Sequence, residues 1–146
     1  MNAQTIIVER YRYSGDDVDL SSIADAWSFA LDQRAFGRGR LLVAHAERSG
    51  RLLDLAHCLM PDPPEAALVP CLDLLGAERA SAVVIYTDER VRDESVGPDR
   101  ALRFFRARAL ASDLGVHLID WIVCDRTRFL SLKFALIDGA TWWDVT

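Results

Sequence analysis

The densest run of groups able to do chemistry lies between Tyr86 and Arg100. There Asp88, Glu89, Asp93, Glu94 and Asp99 supply carboxylates, and Arg90 and Arg92 interrupt them. Oxygen ligands of this kind suit hard cations such as Mg²⁺ or Mn²⁺. A run of mixed sign is more often solvated and self-paired, since exposed ion pairs contribute little, and that is the state expected here. Immediately downstream, Arg100, Arg103, Arg106 and Arg108 form a local basic face that Arg90 and Arg92 extend. Guanidinium groups bind phosphate or carboxylate bidentately, so Arg90, Arg92, Arg103 and Arg106 are the candidates for holding an anion or an acidic partner. The intervening carboxylates and the net charge of −5 point instead to an ordinary solvated helix.

Other candidates are weaker. His45, and His57-Cys58 with Cys71, fit no zinc spacing, and a histidine or cysteine inside an apolar run is expected to be packed. No nucleophile elbow accompanies a Ser-His-Asp set, and no glycine-rich phosphate loop is present. The cysteines Cys58, Cys71 and Cys124 form no Cys-x-x-Cys pair, which predicts reduced, buried thiols and a cytoplasmic setting. The negative charge argues against non-specific binding of nucleic acid. Lys133 is the one lysine, and such arginine richness is the pattern of a GC-rich bacterial genome. No run of about 18 apolar residues suggests a membrane span, and the N-terminus does not read as a secretory leader.

The elements that must position these groups follow from periodicity. Residues 1–19 read as an N-terminal extension with a short edge strand at Ile6–Val8, and residues 20–146 as one domain. Ser22-Ile-Ala-Asp25 begins a helix with Ile23, Trp27, Ala30 and Leu31 on one face, ending near Phe36-Gly37. Leu41–Ala46 and Leu52–Leu59, separated by Arg48-Ser49-Gly50-Arg51, predict an antiparallel hairpin. Glu65–Leu75 predicts a helix capped by Gly76 and kinked or divided at Pro70. Ser81–Tyr86 predicts a buried strand, followed by a polar loop at its C-terminal end, a common functional position. Asp99 is placed to cap the next helix, with Leu102, Phe105, Ala109 and Leu110 as the inward stripe up to Leu114-Gly115. Val116–Val123 and Arg128–Leu132 predict a second hairpin around Asp125-Arg-Thr127. Trp142-Trp143 is expected to cover the core rather than to anchor a partner.

The last hairpin carries a resemblance. Leu114-Gly-Val-His, then Ile119-Asp120-Trp121, an apolar run and Phe129-Leu130-Ser131-Leu132 resemble the corresponding end of RadC-type JAB/MPN domains, which reads Leu-Gly-Ile, Leu-Asp-His, a turn and Tyr-Val-Ser-Leu. Leu41–Leu55 is similar to the family's paired strands, and Leu74-Leu75-Gly76-Ala77 followed by Ala82–Ile85 to its approach to the active site. The likeness spans Leu20 to Lys133. It implies an α/β (α+β) fold, a single-domain mixed sheet flanked by about three helices, like the JAB/MPN cytidine-deaminase-like sandwich.

In that family His-x-His-Pro, then Ser-x-x-Asp, holds a zinc that lowers the pKa of a bound water, with an upstream glutamate relaying the proton. Counting back from Leu114-Gly115 places the two histidines on Thr87 and Glu89, the serine on Gly97 and the aspartate on Arg100. A shift by one residue gives Tyr86, Asp88 and Asp99. No histidine lies between His57 and His117, and Trp121 replaces the family's later histidine. The resemblance therefore implies a zinc-free, non-catalytic member that binds a protein partner or a second copy of itself, with no cofactor. The alternative is a hydrolase, metalloprotease-like or phosphate-directed, using substitute acidic ligands between Thr87 and Arg100.

Overall fold

The computed structural model describes residues 5–12, 18–20, 29, 39–77, 81–89, 97–124 and 129–137. Six strands form one mixed sheet: β1 (Glu9–Arg12), β2 (Arg40–Ala46), β3 (Leu52–Leu59), β4 (Ala82–Asp88), β5 (His117–Cys124) and β6 (Phe129–Ser131), in the order β1-β3-β2-β4-β5-β6. Every neighbouring pair is antiparallel except β4 and β5. A parallel pair needs a crossover, and α2 (Pro98–Asp113) supplies it. The other described helices are α1 (Leu68–Leu75) and the short α3 (Leu132–Leu136). The chain is thus an α/β fold with three helices among its described residues. None of them is long and apolar enough to cross a membrane.

Strands β2, β4 and β5 are buried along nearly their whole length, so their sequences are continuous apolar runs rather than alternating ones. One face of the sheet packs Leu41, Val43, Ile85 and Trp121 under α1, α2 and α3, and the other buries Leu42, Tyr86, Ile122, Leu20 and Phe29. The hairpin expected from Leu41–Ala46 and Leu52–Leu59 is present, with a register irregularity beside Ala46. β5 and β6 pair as expected, although β6 stops at Ser131 because Leu132 opens α3.

Several expectations need correction. The edge strand is Glu9–Arg12 rather than Ile6–Val8, because these residues pair with Asp54–His57 and Arg10 forms an ion pair with Asp54 at 2.7 Å. The segment expected as one helix from Glu65 is a 3-10 turn at Pro64–Ala67 followed by α1. Pro70 does not kink it, for it lies in the first turn of α1, where the missing N–H has no intrahelical acceptor anyway. Gly76 closes that helix at φ 61, the left-handed conformation that glycine adopts without penalty.

The cap of α2 is Gly97, with Pro98 at its first turn, and Asp99 makes no capping bond. Its inward stripe is also rotated. Phe104, Ala107 and Ala111 are buried, whereas Leu102, Phe105, Ala109 and Leu110 face outward. Both sets recur at helical spacing, so periodicity did not decide between them. The small side chains of Ala107 and Ala111 let the helix lie close on the sheet, and that fixes its rotation. The predicted helix from Ser22 (apart from Phe29), the turn at Asp125–Thr127 and Trp142-Trp143 lie outside the described residues.

Candidate functional site

β4 does not end at Tyr86. It has a ladder partner on each side, β2 as far as Thr87 and β5 as far as Asp88, so Thr87 and Asp88 belong to the strand and not to a loop. Side chains alternate along a strand, so Thr87 shares the helix-covered face with Ile85 while Tyr86 points through the opposite face into the other core. Tyr86 is fully buried there, and burial raises its hydroxyl well above the usual range. It is therefore no part of a site with Thr87.

On the helix-covered face four side chains close a ring. The indole Nε1–H of Trp121 donates to Thr87 Oγ1 at 3.0 Å, and Thr87 donates in turn to Glu89 Oε2 at 2.6 Å. The same carboxylate oxygen accepts from the Arg103 guanidinium at 2.6 Å. Arg103 then lies 5.3 Å from the centre of the Trp121 ring, within cation–π range. Thr87 and Trp121 are fully buried, and the Glu89 and Arg103 side chains are each 14% exposed. Each of the four side chains therefore has a partner within the set at the C-terminal end of β4. Buried polar groups satisfied in this way rigidify a structure, whereas the same groups half satisfied are costly.

Thr87, Glu89 and Trp121 are the three positions onto which the family resemblance maps histidines, and the structure brings them together. It adds Arg103, one turn along α2 from the mapped Arg100. The residues do not fit a zinc ion. A zinc centre needs lone pairs from imidazole, thiolate or carboxylate. Here the indole N–H can only donate, the threonine hydroxyl proton is committed to Glu89, and Glu89 is already neutralised by a guanidinium. Asp88 is half-buried at the strand end and outside the ring, while Asp99 and Arg100 lie in the first turn of α2, Asp99 exposed. Among the described residues no three His, Cys, Asp or Glu side chains are grouped to share an ion. Arg90, Arg92, Asp93 and Glu94 lie outside the described residues.

The expected basic face on α2 is not a single face. Arg103 turns inward to Glu89, and Arg106 and Arg108 are exposed on nearly opposite sides, since two residues advance a helix by about 200°. His45 and the three cysteines are buried, as expected, and the cysteines form no disulfide. His45 has a specific setting all the same. Its Nδ1 lies 2.8 Å from Asp54, which also takes Arg10, and its Nε2 is buried with no partner among the described residues. His57 is less enclosed than expected and contacts Arg40 at 2.7 Å and Glu9 at 3.3 Å.

A second polar cluster joins the two segments that carry the resemblance. Asp120 Oδ1 accepts from the backbone N–H of Trp121 at 2.7 Å and of Lys133 at 3.0 Å, and Oδ2 accepts from Ser131 Oγ at 2.5 Å. Ser131 Oγ in turn accepts from Phe134 N, the bond of a helix N-cap. Asp120 thereby pins the start of α3 to β5. Burial raises its carboxyl to about 6, although the bonds from Ser131, Lys133 and Trp121 all oppose the shift. The signal in the sequence was a lone aspartate inside an apolar strand, where a charge must find donors. Comparison with protein-family models, with characterised proteins and with solved structures finds no match for this chain.

Proposed function

We propose that this chain is a non-catalytic, RadC/JAB-like domain that acts by binding protein, in the cytoplasm. The observation that carries the reading is the ring of Thr87, Glu89, Arg103 and Trp121, in which the threonine hydroxyl proton and one Glu89 carboxylate oxygen are committed to partners within the fold and the carboxylate is paired with a guanidinium. Its buried thiols, none of them in a disulfide, suit a reducing compartment. The outward Leu102, Phe105 and Ala109 on α2 give a protein partner an apolar surface, and the exposed Arg106 beside them favours a partner with acidic side chains around an apolar centre.

The test has two arms. Peptidase and phosphatase assays on the purified chain, with added Zn²⁺ and Mn²⁺, are expected to show no turnover that Glu89→Ala abolishes; turnover lost in Glu89→Ala and in an Asp88→Ala, Asp99→Ala double variant would establish the hydrolase instead. Sedimentation of the chain and of Phe105→Asp forms the second arm. A doubled mass for the parent that reverts in Phe105→Asp identifies a second copy as the partner, and an unchanged monomer in both directs the search to a different protein.

A further inference from the structure

At the opposite end of the β4–β5 pair lies a depression of about 300 Å³, lined by Arg48 from the turn between β2 and β3, Arg108 and Ser112 from α2, and Gly115 and His117 at the entry to β5. We infer that this pocket binds a phosphate group, as the free ion or as the monoester of a small molecule. Two cationic side chains from separate elements converge on it. Neither Arg48 nor Arg108 makes an ion pair with a described residue. The nearest carboxylate of the Arg48 turn, Glu47, pairs with Arg51 at 3.8 Å. Asp113 lies on a different side of α2 from Arg108, about 140° around the helix.

The guanidiniums are not spent on capping α2 either. Ala111 O accepts from Leu114 N and Val116 N, and Ser112 O from Gly115 N. Two positive charges with no ion-pair partner among the described residues, in a chain of net charge −5, are matched by one oxyanion of charge near −2, with the Ser112 hydroxyl and an imidazole N–H as further donors. The field there also acts on His117, whose imidazole is held below its ordinary value by burial, then by Arg48, Lys133 and Arg108. A bound anion would relieve that repulsion, so binding of sulfate, which keeps its charge across the range, should strengthen as pH falls and His117 takes up a proton.

Titration of the full chain with inorganic phosphate, followed residue by residue by amide NMR, tests the site. The expected result is saturable shifts confined to Ser112–Leu118 and the Arg48 turn, weakened at least about tenfold in an Arg48→Gln, Arg108→Gln double variant and by less than about twofold in Arg106→Gln. If the double variant loses its folded spectrum, the two single variants serve, each expected to weaken binding by several-fold. A parallel titration with glycerol phosphate separates the two sources: tighter binding assigns the volume beyond the phosphate to an organic group, equal binding assigns the site to the free ion. Shifts that do not saturate, that chloride reproduces at equal ionic strength, or that survive in the arginine variants would overturn the inference.

Discussion

The two ends of the β4–β5 pair each receive an arginine from α2, and they put it to opposite use. At the C-terminal end Arg103 is drawn under the helix by Glu89 and laid across Trp121, so its charge is neutralised and its side chain largely buried. At the other end Arg108, five positions along, meets Arg48 and no carboxylate among the described residues, and the two border a pocket. Both are cationic side chains beside a parallel strand pair. What differs is whether the fold supplies the counter-charge. An end that supplies it has become structure, and an end that does not is left to take the counter-charge from solution.

That contrast can be broken most severely at Trp121. Trp121→Ala removes the largest fully buried side chain among the described residues and strips Thr87 of its donor, and a loss of roughly 3–5 kcal/mol is expected in denaturant unfolding. Trp121→Phe separates the two contributions. It keeps most of the volume and loses the indole N–H, so it should cost about 1–2 kcal/mol. A Phe variant as damaged as the Ala variant would mean that the hydrogen bond, not the packing, holds the ring.

Arg103→Met ranks next. It leaves Glu89 largely buried with only the Thr87 hydroxyl, and roughly 3 kcal/mol should be lost. Adding Glu89→Leu should restore part of the loss, because replacing both partners removes the uncompensated charge. Strict additivity in this double-mutant cycle would show that the pair is not coupled and that the closed end resembles the open one.

These contacts explain what could be read in the sequence and what could not. The β2–β3 hairpin was legible because two apolar runs flank a turn-forming tetrapeptide, and β5 and β6 because two apolar runs flank a short polar sequence. The rotation of α2 was not legible, since Leu102, Phe105 and Ala109 repeat as regularly as Phe104, Ala107 and Ala111. The ring was legible only in part. The family resemblance singled out Thr87, Glu89 and Trp121, but their partnership depends on contacts across 34 residues for Thr87 and Trp121 and across 14 for Glu89 and Arg103. The open pocket left no trace, because Arg48 and Arg108 become neighbours only once β2 lies beside β4.

Asp120 offers a buried carboxylate compensated mainly by hydrogen bonds, with the charge of Lys133 a smaller contribution, and so an intermediate case. Its carboxyl is raised from 3.8 to about 6, so the folded state binds the proton more tightly than the unfolded chain does. Stability from this group is therefore fully present below about pH 4 and is lost as pH rises through about 6, by on the order of 2–3 kcal/mol. Asp120→Asn should remove that pH dependence while keeping an acceptor for the Trp121 and Lys133 N–H groups. A parent chain whose stability rises between pH 4 and 6.5, measured against Asp120→Asn, would reverse the assignment.

The smallest expected effect bears most directly on the comparison. Arg108→Gln should change stability by no more than about 0.5 kcal/mol, since its guanidinium forms no ion pair with a described residue, and in low salt the change should be slightly favourable as repulsion with Arg48 is relieved. Added phosphate should then raise the melting temperature of the parent chain and leave that of an Arg48→Gln, Arg108→Gln variant nearly unmoved, because a ligand stabilises only the state that binds it. If Arg108→Gln instead destabilised the chain as strongly as Arg103→Met, the open end would be as structural as the closed one, and its charge would have a partner inside the fold.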